Sequence, residues 1–449
     1  MGIEKVNTDS VGSKATKTFY QKEIPVVDEY DVVVCGGGPS GIGAAVVAAE
    51  NGAKTLLIER FGFLGGMATA GLVNPMSEFA YNSERVVGGV AWRFAKKLES
   101  AGGALIEYPR CNVSFNPELY KLEAQRMVIE SGCELKTNTL VVDCIRADGV
   151  IKEVIIADKD GLKSIRGKYF IDATGEGYLA SLSGVEMLPI TRAVQPATLC
   201  FTMSNVDTNT KRMHIIHQKN QGFNHHATFI RDALFALREK GVNVPQFGGP
   251  WLCTTLKEGV ITLNLTRAEV AESGAESFNN AERKMLEDLF ILADLIIKNV
   301  EEFKNAYVSA VATSAGIRQS RRIKGVHVLT GEEYVSGNKH ESSIARSCHA
   351  IDIHLPKDEG QILKFPPQAG YIPYDSMISI KVDNLITLGR AISADEEAFA
   401  ATRVQAPCME MGQAAGFAVN LCLKNGNIPV WAIDRKELVE KVKNAGSFV

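Results

Sequence analysis

Two short stretches carry the side chains best suited to moving a proton or holding a charge. In Ile351-Asp352-Ile353-His354 an aspartate precedes a histidine by two positions, and between Gly316 and Ile323 the arginines Arg318, Arg321 and Arg322 crowd together. An imidazole with an ordinary pKa of about 6.5 can take a proton from an alcohol or amine and return it. Guanidinium groups suit a substrate carboxylate or a developing negative charge. His354, Asp352, Arg318 and Arg322 are therefore the candidates for catalysis. Each has a plainer reading. Period-two alternation puts Asp352 and His354 on one side of a strand, and that side can be solvated. The arginines can pair at the surface with Glu332 and Glu333.

The elements that must position a reactant begin far upstream, at 30–59, YDVVVCGGGPSGIGAAVVAAENGAKTLLIE. Residues 31–35 are a valine run, 39–51 are Ala-rich with no interior proline, and 55–58 are apolar again, a β-turn-α-β pattern. Gly36, Gly38 and Gly41 supply G-x-G-x-x-G between strand and helix. That spacing lets the backbone turn tightly and approach a pyrophosphate at the helix N-terminus, with Pro39 and Ser40 in the same turn. Glu59 closes the second strand about twenty residues on, where a carboxylate accepts from an adenosine ribose. After Arg60, the small-residue loop with Gly65, Gly66, Met67, Ala68 and Thr69 permits close approach to a ligand.

Further along, apolar spacing predicts helices over 83–101 and, with Asn116 as N-cap, over 117–131. Strands are expected at 139–145 and 153–157 around an Asp148-Gly149 turn, and at 168–175. From 185 to 324 the pattern changes to polar helices, a hairpin joining 251–255 to 260–265, and a long amphipathic helix over 278–300. A last strand at 382–390 precedes a long Ala/Met/Gly-rich helix over 398–424, in which Gly412 and Gly416 share a face for close packing against a strand or a cofactor ring. The sheet needs this strand, so the C-terminus is expected to return to the N-terminal domain.

The chain has 449 residues, more than one core usually organises, and a net charge of −3. No dense Lys/Arg run offers a footprint for nucleic acid or an anionic membrane. No stretch reaches membrane-spanning length and 1–28 has no signal-peptide core, so a cytoplasmic protein acting on a small molecule is expected. The nine cysteines form no C-x-x-C pair and read as buried apolar residues. His214, His217, His225 and His226 lack a carboxylate at ligand spacing, and no metal is expected.

Four segments in order, CGGGPSG with Glu59, RFGFLGGMATAG, YFIDATGEG, and NLITLGRAISAD followed by RVQAPCMEMGQAAG, resemble the bacterial FAD-dependent oxidoreductases with a glutathione-reductase-type FAD-binding fold. GIRQSRRI, IDIH and YIPYDSMI fit the same family, so the resemblance covers nearly the whole chain from Tyr30. It implies an α/β architecture, a Rossmann-like FAD-binding domain with an inserted α+β substrate or cap domain. The expected divisions are an arm at 1–28, the FAD-binding domain at 29–184 and 381–449, the cap at 185–324, and a connecting segment at the substrate face over 325–380. By the same resemblance Gly36, Gly38 and Gly41 hold the pyrophosphate, and Glu59 the ribose. Arg60 and residues 65–69 pass along the cofactor, and Val141 meets adenine through its backbone. Ala173, Thr174 and Gly175 close over the diphosphate, and Gly389 and Arg390 lie by the ribityl chain. Gly412, Gln413 and Ala414 would present a helix N-terminus to the flavin pyrimidine, where partial positive charge favours an anion. One departure stands out: relatives often place Asp where this chain has Arg390.

The leading expectation is an FAD enzyme passing a hydride between the flavin and a small hydroxylated or carboxylated metabolite. A flavin-dependent modifying enzyme or transferase on the same fold is the alternative, against which the missing basic patch counts. A non-catalytic flavoprotein or electron relay is the third. Only one G-x-G-x-x-G opens a βαβ unit, so no separate NAD(P)H domain is expected. No motif encodes the electron donor or acceptor, or the oligomeric state.

Overall fold

The computed structural model describes residues 21–192, 194–213, 225–270, 274–355 and 360–449. Most of the N-terminal arm, and His214 and His217, lie outside them. Val26–Cys35 (β1) and Thr55–Ile58 (β2) are parallel, joined by the helix Pro39–Glu50 (α1). Glu134–Lys136 (β3) extends the sheet beyond β2. On the other side of β1 lies Gly161–Asp172 (β6), again parallel. Leu140–Ala147 (β4) and Val150–Asp158 (β5) form an antiparallel meander onto its first half, turned by Asp148 and Gly149, both at positive φ. The second half of β6, Phe170–Asp172, pairs instead with Leu385–Thr387 (β12). One long strand thus carries the meander on its first half and the C-terminal return on its second.

A second core gathers residues from Ala197 to Ala315, with Leu72. Its sheet is antiparallel throughout: Phe201–Ser204 (β7), Phe247–Thr254 (β8), Ile261–Thr266 (β9) and Tyr307–Val311 (β10), with the two residues His225–His226 at the edge. The helix Ala275–Asn299 (α2) buries Met285, Leu289, Leu292 and Ile296, one face at helical spacing. Ile351–His354 (β11) pairs with Gln361–Lys364.

The long C-terminal helix expected over 398–424 is two helices, Glu396–Thr402 (α3) and Gln405–Lys424 (α4). Pro407 explains the break, since a proline is tolerated in the first turn of a helix and not in its interior. α4 crosses α1 at backbone contact: a Cβ on Gly412 would lie 2.1 Å from Ser40 O, and one on Gly43 2.4 Å from Met409 O. The partner of the Gly412 and Gly416 face is therefore helix α1, and not a strand or a cofactor ring.

Candidate active site

β1, β2, β6 and β12 end together, and their ends open onto a cavity of about 430 Å³ between the two cores. At one end lie Glu59, Arg60 and Val141; the Glu59 carbonyl accepts from Thr139 N at 3.0 Å, which brings the start of β4 beside it. Along the middle run Gly36, Gly38, Pro39, Ser40, Gly66, Met67, Ala173, Thr174 and Gly175. At the other end are Gly389, Arg390, Arg403, Gln405 and Cys408, and the second core roofs the space with Phe278, Ser314 and Ile317. The glycines have different tasks. A Cβ on Gly41 would lie 1.8 Å from Gly36 O, so that glycine closes the turn, whereas a Cβ on Gly38 meets nothing nearer than Gly66 Cα at 3.8 Å. Gly38 caps α1 without a side-chain bond, which leaves first-turn amides and the positive helix end for an anion. Buried Glu59 accepts from Gly37 N at 2.6 Å and Phe61 N at 2.9 Å. Burial raises its pKa against the pull of those bonds.

Beyond the inner end lies a polar cluster that joins both cores. Arg403, in the gap between α3 and α4, donates from Nη2 to Asp352 O at 2.8 Å and to Gln195 Oε1 at 3.3 Å. Its Nη1 is buried without a protein partner, as is Oε1 of Gln405. Burial pushes Arg403 down to about 10, so it is cationic at neutral pH. Asp352 and His354 share a side of β11, with His354 Nε2 3.2 Å from Asp352 Oδ2. That side is buried and not solvated, because Arg267 and Gln195 pack on it. Arg267 Nη2 lies 3.5 Å from His354 Nδ1, and Gln195 Oε1 accepts from His354 N at 3.0 Å. A guanidinium only donates, so Nδ1 is the acceptor and Nε2 carries the proton toward Asp352. Burial, and next the charge of Arg318, push His354 down to about 3. Burial works against the Asp352 anion, yet the imidazole beside it and Arg403 hold its pKa below the usual range. Arg318 donates to Pro196 O at 2.7 Å and Thr198 Oγ1 at 2.8 Å. Arg267 shares Thr198 and Asn264, and its guanidinium occupies the space where a Cβ on Gly248 would be, at 2.5 Å from Nε.

Residues 31–442 match one protein family, described as FAD dependent oxidoreductase. The chain belongs to that family. FAD is its cofactor, and the cavity of this family member suits it: an uncapped helix end for the diphosphate, a buried carboxylate for the ribose, and unpartnered polar atoms at the far end. Thiamine thiazole synthase of Methanococcus vannielii is 32% identical over 163 residues, 33% of this chain and 56% of that protein. Digeranylgeranylglycerophospholipid reductase of Thermoplasma volcanium is 26% identical over 202 residues, 41% of this chain and 49% of that one. The chain thus spans about half the length of these curated relatives. A geranylgeranyl bacteriochlorophyll reductase-like protein from Thermoplasma acidophilum superposes with a TM-score of 0.49 at 14% identity, over 93% of this chain and 83% of that one.

Several expected site residues stand elsewhere than the sequence suggests. Gly412, Gln413 and Ala414 lie in the third turn of α4 and do not form a helix N-terminus. Gly412 meets α1, Gln413 accepts from Val90 N at 2.7 Å, and Ala414 is fully buried. The helix end at the cavity is that of Gln405 and Cys408. Ala68 and Thr69 are buried beneath the loop, Thr69 donating to Leu64 O at 2.8 Å, and Gly65 N donates to Gly37 O at 2.8 Å. Arg390 lies against Gly175, 3.0 Å from where a Cβ there would be, and lines the cavity beside Gly389. Arg322 is spent on structure: it donates to Ala394 O at 2.6 Å, pairs with Glu396 at 3.1 Å and stacks on Phe399. His354 has both ring nitrogens engaged, by Asp352 and Arg267, and the residues that line the cavity are others. Arg403 and Gln405 open the segment RVQAPCMEMGQAAG, in which no role was expected of them, and Arg267 carries no motif of its own, the Gly248-Gly249-Pro250 run being the available signal.

The buried imidazole has a consequence for stability. Unfolded, His354 takes a proton at about pH 6.5; folded, it resists until about pH 3. Between these values the unfolded chain binds more protons, so stability falls as pH drops through that window and is level above it. His354→Asn is expected to flatten this acid limb in thermal unfolding measured from pH 7 to pH 4. An unchanged slope would show that the imidazole is not held neutral.

Proposed function

We propose that the protein passes a hydride between FAD and a small metabolite whose carboxylate, or hydroxyl with developing negative charge, is held at Arg403. Arg403 carries this reading: a cationic residue that lines the cavity and whose buried Nη1 has no protein partner. Leaving such a donor unsatisfied costs about 1–3 kcal/mol or more, so a guest that accepts from it is favoured strongly. Arg267 and Arg318 behind it, against one carboxylate at Asp352, leave the cluster with a surplus of positive charge that an anion would balance. Bound FAD supplies the hydride acceptor or donor. The chain's part is to orient the metabolite and to take or give one proton. Within the same reading the FAD-binding domain is of the glutathione-reductase type. The protein works in the cytoplasm, on small molecules, without nucleic acid or membrane as partner. The net charge of −3 supports this, and among the described residues no helix is long and apolar enough to cross a membrane.

The test is single-turnover bleaching of the bound flavin by a panel of hydroxy and amino acids, each run beside its neutral amide. Bleaching by an acid and not by its amide is the expected result. Equal bleaching by both, or by neither across the panel, would sink the anionic-substrate reading.

A further inference from the structure

A second group of chemically capable side chains lies outside the cavity, around the short helix Gly331–Ser336. His327 precedes it, Glu333 stands in it and His340 follows it, and one ligand atom from each lies within 4.8 Å of the other two. Nε2 of His327 is 3.2 Å from Glu333 Oε2, and Nε2 of His340 is 3.3 Å from Oε1, so both rings converge on one carboxylate. Their centroids are 4.6 Å apart. We propose that His327, Glu333 and His340 bind a divalent transition-metal ion, zinc by preference.

The competing arrangement is two imidazole N–H groups donating to a carboxylate, and only His327 Nε2 has the geometry for it, to Oε2 at 3.2 Å. Two observations favour the ion. His340 Nε2 is sealed from solvent and, although close to Oε1, is not oriented to hydrogen-bond with it or with any other group. A ring nitrogen pointing beside an oxygen and not at it is what a shared ion between them produces. At bonds of about 2.0–2.1 Å, two ligands of a tetrahedral zinc stand about 3.3 Å apart, which is the spacing of His340 Nε2 and Oε1.

The second observation is the way the carboxylate is held. Glu333 is the third residue of its helix and closes a capping box with Thr330: its Oε2 accepts from Thr330 N at 2.9 Å and Thr330 Oγ1 at 3.1 Å. These bonds, with His327 Nε2 at 3.2 Å, hold Oε2 and fix the plane of the group, turning Oε1 toward His340. Outer hydrogen bonds of this kind orient metal ligands and raise affinity. The histidines are anchored as well, His327 N donating to Asp375 O at 3.1 Å and His340 N to Ser343 Oγ at 3.0 Å. Imidazole and carboxylate donors suit zinc, with nickel and copper as competitors, and the fourth position remains for water. The ion would tie 327–340 to the start of the strand Ser343–Ser347, which leads to His349 and β11. No motif spacing marks 327, 333 and 340 as a set, which is why no metal was expected from the sequence.

The FAD-loaded full chain, stripped with a chelator and dialysed, would be titrated with zinc alone in competition with a chromophoric chelator. The comparison is the His327→Ala/His340→Ala double variant, in which the histidines at 214, 217, 225 and 226 are retained. One more zinc per chain in the wild type, with a zinc-dependent rise in Tm that the double variant lacks, is expected. FAD absorbance per chain reports folding in both. If the double variant loses FAD, His327→Gln, which keeps the ring's polarity and bulk, replaces it. Equal zinc uptake by wild type and variant, or no uptake beyond the chelator's hold, overturns the site.

Discussion

Arg403→Ala is expected to lower kcat/KM for the anionic substrate by about 2–5 kcal/mol, the range for truncating one partner of a buried, hydrogen-bonded charge pair, or roughly thirtyfold to four-thousandfold. The loss should fall mainly in KM if the carboxylate is held equally in ground and transition states, and in kcat if the charge develops during the reaction. Arg403→Lys should recover little, because an ammonium cannot reach Asp352 O and Gln195 Oε1 from one edge while offering a second edge to the substrate. Since Nη2 has this structural task, the truncation also loosens β11. Added guanidinium separates the two effects, restoring turnover where the donor itself is what is missing. Wild-type kcat/KM in Arg403→Ala, with FAD normally bound, would remove the arginine from the substrate site.

The other large effect concerns the opposite end of the cavity. Glu59→Ala should weaken FAD binding by about 1.5–3 kcal/mol, or roughly tenfold to a hundred-and-fifty-fold, the range for hydrogen bonds to a charged group. The structure adds a reason for the upper part of that range. The same carboxylate holds Gly37 N and Phe61 N, so its removal also frees the turn that carries the diphosphate. Because burial raises the Glu59 pKa, FAD affinity should begin to fall at a higher pH than an ordinary carboxylate would give. Titration of apo-protein with FAD, followed by flavin fluorescence, measures both. An unchanged Kd in Glu59→Ala would show that the ribose is bound elsewhere.

Between these two ends the sequence was legible to very different degrees. Gly36, Gly38, Gly41 and Glu59 lie within one βαβ unit, where backbone geometry alone sets the distance from glycine turn to acidic strand end. Arg403 reaches the cavity only because α3 stops at Thr402 and α4 restarts at Gln405, and its partners come from residues 195 and 352. Nothing local relates those positions. His354 shows the same limit from the other side. Its neighbour Asp352 is plain from period two, but the environment that disfavours charge on the ring is burial with the charges of Arg318 and of Arg267, the residue after β9.

What the sequence by itself determined is the half of the fold that binds a dinucleotide, because it follows from short-range rules: strand period, helix start, glycine turn and a fixed spacing to a carboxylate; FAD in particular came from the resemblance carried by four motifs in order. The sequence also determined that α4 would pack closely, since Gly412 and Gly416 share a face. Only the tertiary structure decided that the face meets α1, that Arg322 is a buried strut, and that Arg403 lines the cavity with one nitrogen tied to Asp352 and Gln195 and the other without a partner. Those outcomes depend on which distant groups take up a side chain's hydrogen bonds and shield its charge from water. Pairings of that kind are set by long-range packing, and a linear pattern of residue types does not contain them.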